Sequence, residues 1–509
     1  MPEGFQFLLQ GIVSILTSPA IIHVLWATLL GICVGMLPGL TATLGLTLLT
    51  TLTLGMSSND AILILICMYV GAIYGGSRSA ILLNIPGTPA SAATSLDGFP
   101  LARSGNVAQA MGIATAGSVL GTLIGMVCLA LFAPMLAEFA LDFGSFEFFW
   151  LAVFGIVISG RLTAADDPVK GWIAGFIGLS VAMVGEDPIH AYDRFSFGNP
   201  DLRGGFDLLP VLVGVFGFAE ILTVMKSPVY KVTKNVADSV IPKVREVLGY
   251  WKTIIRSGIT GTFTGIIPGV GEDMGAWASY AMAKGFSKER EKYGKGSVEG
   301  LMAAETGNSA SVPGSIIPVL TLAIPGSAPA AVLLAALFIH GVNPGPLIMT
   351  NNPGLVFEIV AMILFASLAI LVYGLLLTKP LVHILRVPSQ KLMPIIFVLC
   401  TVGAFAVASR VFDIWVMLGF GVLGFILREM KYPMAPLVLG VVLGPILDQN
   451  LRRSLNLTDG ELIPFFTRPI SLTLVIIIVL TLALGFKPVT NALRKGLNRV
   501  FSGSLGNGT

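Results

Sequence analysis

Charge is scarce in this 509-residue sequence, at 12% of residues against about 25% in an ordinary soluble domain, while 54% of residues are hydrophobic. A chain so poor in charge cannot cover a water-facing surface, so its mass belongs in lipid. The net charge of +3 is small, and no Lys/Arg-rich stretch is interleaved with aromatics, which excludes a nucleic-acid binder. Cysteine and histidine are equally sparse. Cys33, Cys67, Cys128 and Cys400 lie far apart in apolar runs, and His23, His190, His340 and His383 are scattered. Spacing therefore offers no zinc site and no nucleophile–base–acid set, and the chain reads as a non-enzyme without a cofactor. No Lys or Arg precedes Arg78, so a cleaved signal peptide with a basic start is not expected, and residues 5–17 read as a short interfacial helix.

What is present is apolar length. A spanning helix needs roughly 20 mostly apolar residues. Candidate spans are 20–40, 41–57, 59–76, 107–137, 146–161, 168–185 and 208–226, then 254–272, 273–285, 299–313, 354–378, 391–408, 411–428, 433–448 and 469–486. Segments 77–100 and 314–341 are apolar but rich in Pro, Gly, Ser and Thr. Broken backbone survives at membrane depth only where protein or a watery cavity covers it, so both read as re-entrant hairpins.

Basic loops orient the path. Lys226, Lys231, Lys234, Lys243, Arg245, Lys252 and Arg256 face only Asp238 and Glu246, which makes 226–256 cytoplasmic. Lys284 to Lys295, Lys379 to Lys391, Arg428 with Lys431, and the tail Lys487 to Arg499 fall on the same side. The acidic segments 138–147 and 186–207 fall outside. The C-terminus is then cytoplasmic.

An internal repeat lies beneath this pattern. GICVGMLPGLTATLG at 31–45 matches GTFTGIIPGVGEDMG at 261–275, with Gly31, Gly35, Pro38, Gly39 and Gly45 recurring as Gly261, Gly265, Pro268, Gly269 and Gly275 at an offset of 230. GGSRSAILLNIPGTPAS at 75–91 matches GSIIPVLTLAIPGSAPA at 314–330, with Gly75, Pro86 and Gly87 recurring as Gly314, Pro325 and Gly326 at an offset of 239. An odd number of crossings between the two PG helices inverts the second half. The expected fold is an all-α membrane protein: a polytopic helical bundle of two inverted structural repeats, each with a re-entrant hairpin and discontinuous helices. Its divisions are an N-terminal segment 1–19, a first repeat 20–226, a linker 227–253, a second repeat 254–448, and a last helix with a basic tail, 449–509.

A broken helix exposes N–H groups suited to a carboxylate and carbonyls suited to a cation. Thr41, Thr43, Gly75, Gly76, Ser77, Asn84, Thr88 and Ser91 supply such chemistry in the first half. Gly271, Asn308, Ser309, Gly314, Ser315, Ser327 and Ala328 do so in the second. Charges at membrane depth are costly and usually functional. Glu272, Asp273 and Glu305 are candidates for a cation or proton, or for pairing with Arg78. Arg78 reads either as a contact for an anionic substrate or as a positive-inside anchor. Glu220 and Asp448 are weaker candidates. GFGVLG at 419–424 sits in an apolar span with no preceding strand and reads as helix packing, and GKGS at 294–297 lacks the upstream Gly of a phosphate loop.

GMLPGLTATLG, YGGSRSAILLNIPGTPASAATSLDGFPLAR and ETGNSASVPGSIIPVLTLAIPGSAPAAVLLAALFIHGVNPGP resemble the large membrane subunit (TctA type) of bacterial tripartite tricarboxylate transporters. The resemblance covers nearly the whole chain and is strongest over 31–110 and 261–346. It implies a multi-pass permease of the bacterial inner membrane, a small membrane subunit and a periplasmic solute-binding protein as partners, citrate-like or related carboxylates as substrate, and coupling to Na+ or H+. An elevator-type mechanism follows by analogy with transporters that carry paired hairpins. Carried over by motif, the site positions are Pro38, Gly39, Gly75 to Arg78, Asn84, Pro86, Gly87, Thr88, Pro268, Gly269, Gly271, Asn308, Ser309, Pro313, Gly314, Ser315, Pro325, Gly326 and Ser327. PGVGEDMG is more acidic than PGLTATLG, so the second half is expected to serve the cation and the first the carboxylate. A stand-alone carrier of small organic anions is the alternative.

Overall fold

The computed structural model describes residues 2–164, 167–187, 189, 191–226, 242–377, 380, 383–385 and 387–485. His190, Lys231, Lys234, Asp238, Lys379 and the tail Lys487 to Arg499 lie outside them. The described chain is nearly all helix. Seven of its helices are long and apolar enough to cross a membrane, or eight if the pair Gly4–Thr17 and Ala20–Met36, bent by 86°, is one span.

Two compact units emerge from the chain, and they cut across the linear halves: residues 1–142 with 206–429, and 143–205 with 430–509. In the first unit, α1 (Pro2–Thr17), α2 (Ala20–Met36), α3 (Ala42–Leu52), α4 (Ser58–Leu83), α5 (Ser91–Leu101) and α6 (Val107–Ala140) come from the first half. Within the second unit lie α7 (Ser145–Thr163) and α8 (Pro168–Ala182). The chain then returns to the first unit with α9 (Leu208–Lys226), which carries a π-helical stretch over Val213–Phe218. There follow α10 (Val244–Gly249), α11 (Trp251–Ile266), α12 (Gly271–Phe286), α13 (Val298–Leu322), α14 (Ala328–Ile339), α15 (Leu355–Leu376), α16 (Met393–Ala408) and α17 (Val411–Glu429). The second unit closes with α18 (Met434–Leu457) and α19 (Pro469–Gly485). There Asp187 and Asp448 share Arg194 and Arg452, and Glu147 pairs with Arg468 at 2.7 Å and accepts from Ser471 at 2.9 Å. Asp448 is thus held in an ion-pair cluster.

Within the first unit the sequence repeat is a repeat of contacts. A Cβ on Gly31, Gly35 or Gly75 would strike the carbonyl oxygen of Met68, Ala72 or Ile32, and one on Gly261, Gly265 or Gly314 that of Gly307, Ser311 or Thr262. Each atom pair in the second set is the first moved by the two sequence offsets. Small residues let α2 press onto α4, and α11 onto α13, at backbone distance. The same two offsets relate the chain breaks. Leu37 and Ile267 leave the helix in extended conformation, and Gly39 and Gly269 turn through positive φ, 89° and 72°. α4 ends at left-handed Asn84 (φ 57°) and α13 at left-handed Ala323 (φ 54°).

Segment boundaries differ from the sequence reading. Residues 77–83 complete a 26-residue α4, and 314–322 complete α13, so the breaks are confined to 84–90 and 323–327. Gly75 and Gly314, before the breaks, serve helix packing, and Pro313 and Pro318 sit within α13. Glycine density, read as breakage, marks close approach here.

The GKGS loop has a local use. Asp97, fully buried on α5, accepts hydrogen bonds at one carboxylate oxygen from the backbone N–H groups of Gly294, Gly296 and Ser297 (2.8, 2.9 and 2.8 Å). Its other oxygen accepts from the Tyr280 hydroxyl at 2.9 Å. Successive N–H groups in such a turn form an anion nest, and a side chain fills this one.

Two expectations follow. Gly35→Ala and Gly265→Ala should each destabilise the protein by about 1–3 kcal/mol through overpacking. Gly55→Ala, where an added Cβ meets nothing within 4 Å, should leave it unchanged in thermal unfolding. Asp97→Ala, which strands three N–H groups, should cost about 3 kcal/mol or more; an unchanged midpoint would remove the nest from the fold's essential contacts.

Candidate functional site

A side chain of the first half reaches the breaks of the second. Tyr69, fully buried in the middle of α4, places its hydroxyl 3.0 Å from Glu272 Oε2, 3.1 Å from Ser315 Oγ and 2.8 Å from Ser327 Oγ. Those partners belong to the first turn of α12, the body of α13 and the N-cap of α14. One phenol therefore ties the first half to both breaks of the second. Asp273, beside Glu272 at the start of α12, lies near Ala90 at the start of α5, and Ala90 and Ala93 share a buried apolar cluster with Ala276 and Tyr280 of α12. The chain break after α4 thus comes beside the second PG break.

Within each half the tips are seated on backbone. Gly87 N–H donates to Gly76 C=O at 3.3 Å, and Gly269 N–H to Pro325 C=O at 3.4 Å. A Cβ on Gly87 would strike the Gly35 carbonyl, and one on Gly326 that of Gly265. Thr88 and Ser91 cap one another (Thr88 N–H to Ser91 Oγ 3.1 Å; Ser91 N–H to Thr88 Oγ1 3.3 Å), while Thr41 caps α3 by accepting from Leu44 N–H and Ser327 caps α14 by accepting from Ala330 N–H. Gly271, at φ 47°, leaves no room for a Cβ beside Ser327.

A cavity of about 190 Å³ lies at the first half's breaks, lined by Pro38, Gly39, Ile85 and Pro86 with Glu220 and Gln390 among the polar side chains. Ser389 donates to the Pro38 carbonyl at 2.7 Å, and Arg428 pairs with Glu220.

The remaining sequence candidates separate. Gly75 and Gly314 contact the neighbouring helix backbone, and Pro313 approaches α6, its Cγ 3.1 Å from the Cβ position of Gly125. Thr43 is buried, and its carbonyl accepts from Thr47. Arg78 is buried, 2% exposed. Its guanidinium stacks 4.2 Å from the Tyr74 ring centroid and donates to Met111 C=O at 3.0 Å, and to Tyr74 and Thr115. Ser77 and Arg78 lie beside Glu305, which accepts from Ser118 at 2.9 Å and from Thr94. Asn308 and Ser309 are buried within α13. Tyr69 and Thr94 escaped the sequence reading because neither belongs to a matched break. Tyr69 does carry a signal: offset by 239, it corresponds to Asn308. Among the described residues, no group of three or more His, Cys, Asp or Glu is placed to hold a metal ion.

Residues 21–439 match the model of the tripartite tricarboxylate transporter TctA family. The chain belongs to that family. An uncharacterized 52.8 kDa protein in the TAR-I ttuC' 3' region of Agrobacterium vitis is 34% identical over 501 residues, 96% of this chain and 97% of that one. A second protein of that organism, in the TAR-II ttuC' 3' region, is 34% identical over 214 residues, 42% of this chain and 88% of that one. No solved structure matches. This TctA-family chain is thus a polytopic helical membrane component of a transporter family, and the helix breaks described above lie within the matched region.

Tyr69→Phe removes a hydroxyl from three buried partners. It should lower stability by about 1–3 kcal/mol, read as the midpoint of thermal unfolding in detergent. An unchanged midpoint would show that the cross-half cluster carries no structural weight.

Proposed function

We propose that this chain is the permease subunit of a binding-protein-dependent secondary transporter that imports citrate-like tricarboxylates or related carboxylates on a Na+ or H+ gradient. The observation that carries the reading is the tie of Tyr69 in the first half to both breaks of the second, through Glu272, Ser315 and Ser327, with Ala90 of the first half beside Asp273. Paired discontinuous helices place N–H groups for an anion and oxygens for a cation side by side. Glu272 and Asp273 open α12, while Ala42 and Thr43 stand at the corresponding start of α3. The second half accordingly serves the cation and the first the substrate carboxylate.

The halves are inverted repeats, and α4–α5 and α13–α14 are their re-entrant hairpins. Support comes from the crossing of α4 and α13. Tyr69 meets Ser315 and Ser77 lies beside Glu305, so the two corresponding helices run antiparallel where they touch. Alternating access is of the elevator type. The chain sits in the bacterial inner membrane with its C-terminus in the cytoplasm, beside a small membrane subunit, and receives substrate from a periplasmic binding protein.

Reconstitution with both partner proteins tests this. Labelled citrate or malate should enter proteoliposomes under an inward Na+ gradient or a proton gradient, and uptake of neither would overturn the assignment. Uptake by the large subunit without its partners would instead favour the stand-alone carrier. Glu272→Gln and Asp273→Asn should flatten the dependence of uptake on cation concentration. A wild-type dependence in both variants would refute the assignment of the cation to the second half.

A further inference from the structure

The repeat makes Asn308 and Tyr69 counterparts, and their surroundings are unlike. Tyr69 faces Ser315 across the α4–α13 crossing. Two turns further along α4 stands Gly76, and two turns back along α13 stands Asn308. Residues seven apart share a helix face, so in this antiparallel register Asn308 faces Gly76 as Tyr69 faces Ser315. The counterpart of Ser327 is Thr88, whose Oγ1 lies 3.1 Å from the Cβ position of Gly76. The Tyr69 place is closed by protein: its hydroxyl meets Glu272, Ser315 and Ser327. At the Asn308 place the first half offers Gly76, which has no side chain, and Ala42, which has no carboxylate.

Asn308 is fully buried, and neither its Nδ2 nor its Oδ1 has a hydrogen-bond partner among the described residues. A buried carboxamide with neither end satisfied is destabilising, and a fold that keeps one has a use for it. The first half sets no acid of its own at the starts of α3 and α5, where Ala42, Thr43, Ser91 and Ala92 stand, so an amide donor there suits an anion. We infer that the Asn308 carboxamide is a direct ligand for a carboxylate group of the transported substrate, in a first-half site whose second-half counterpart is occupied by the Tyr69 hydroxyl. This rests on the carboxylate-transport reading above and names the residue that reads the anion.

The test pairs binding with stability. The purified chain is melted in detergent with and without citrate or malate, and uptake is followed in proteoliposomes with both partner proteins. Asn308→Leu removes no protein hydrogen bond, so without carboxylate it should unfold at the wild-type temperature or above. It should nevertheless lose the stabilisation by carboxylate, with half-saturation of uptake raised about 10- to 100-fold. Asn308→Asp, which sets a negative charge against the anion, should lose binding as well.

Wild-type half-saturation in Asn308→Leu would overturn the inference. So would a variant that unfolds early and loses uptake only in proportion to folded protein, or one whose cation half-saturation moves while that for carboxylate stays. A wild-type protein that neither responds to nor transports any carboxylate would instead overturn the functional reading on which the inference stands.

Discussion

Backbone laid directly on backbone is the contact from which this structure is built. Lipid gives helices no hydrophobic reason to associate, so close packing over small residues must hold them together. Gly35 shows how far that requirement reaches. Its Cα side presses on the Ala72 carbonyl, and its own carbonyl receives Gly87 at the tip of the first hairpin. Gly265 repeats both contacts with Ser311 and Gly326. One residue thus fixes a helix crossing and the depth of a chain break together, and this is why the PG motifs and the GG-to-PG motifs travel as a set.

The same economy explains what was legible in the sequence. Glycine and proline tolerate few replacements at such contacts, so the repeat survived as a readable pattern, and helix starts and ends largely followed the apolar runs. The extent of the hairpins was not legible. Gly75, Gly76 and Gly314 lie inside continuous helices, and a glycine needed for room looks like a glycine needed for a turn. Arg78 stayed open between two readings for a related reason. A lone cation near an apolar run signals a membrane face, but here Tyr74, Thr115 and Met111 enclose it. Tyr69 and Asp97 were invisible because their partners lie some 200 residues away and share no motif with them.

The halves agree in backbone and differ in chemistry. Where the second places Glu272, Asp273, Ser315 and Ser327, the first places Ala42, Thr43, Gly76 and Thr88. Conserved crossings with exchanged side chains let one backbone plan present an acidic face and a neutral one a short distance apart. On the proposed reading, an anion and a cation moved together would each meet a surface of suitable sign while still close enough to offset the other's charge.

Asp97 has a mechanical meaning beyond its local bonds. Its carboxylate holds four donors, all of them in or beside the helices α12 and α13 of the other half. Any displacement of α5 must therefore carry the start of α13 along or break all four bonds at once. The helix that follows the first half's break is bolted to α12 and the root of α13 in the second, so they form a single block. Whatever bending a transport cycle requires must be found at its edges.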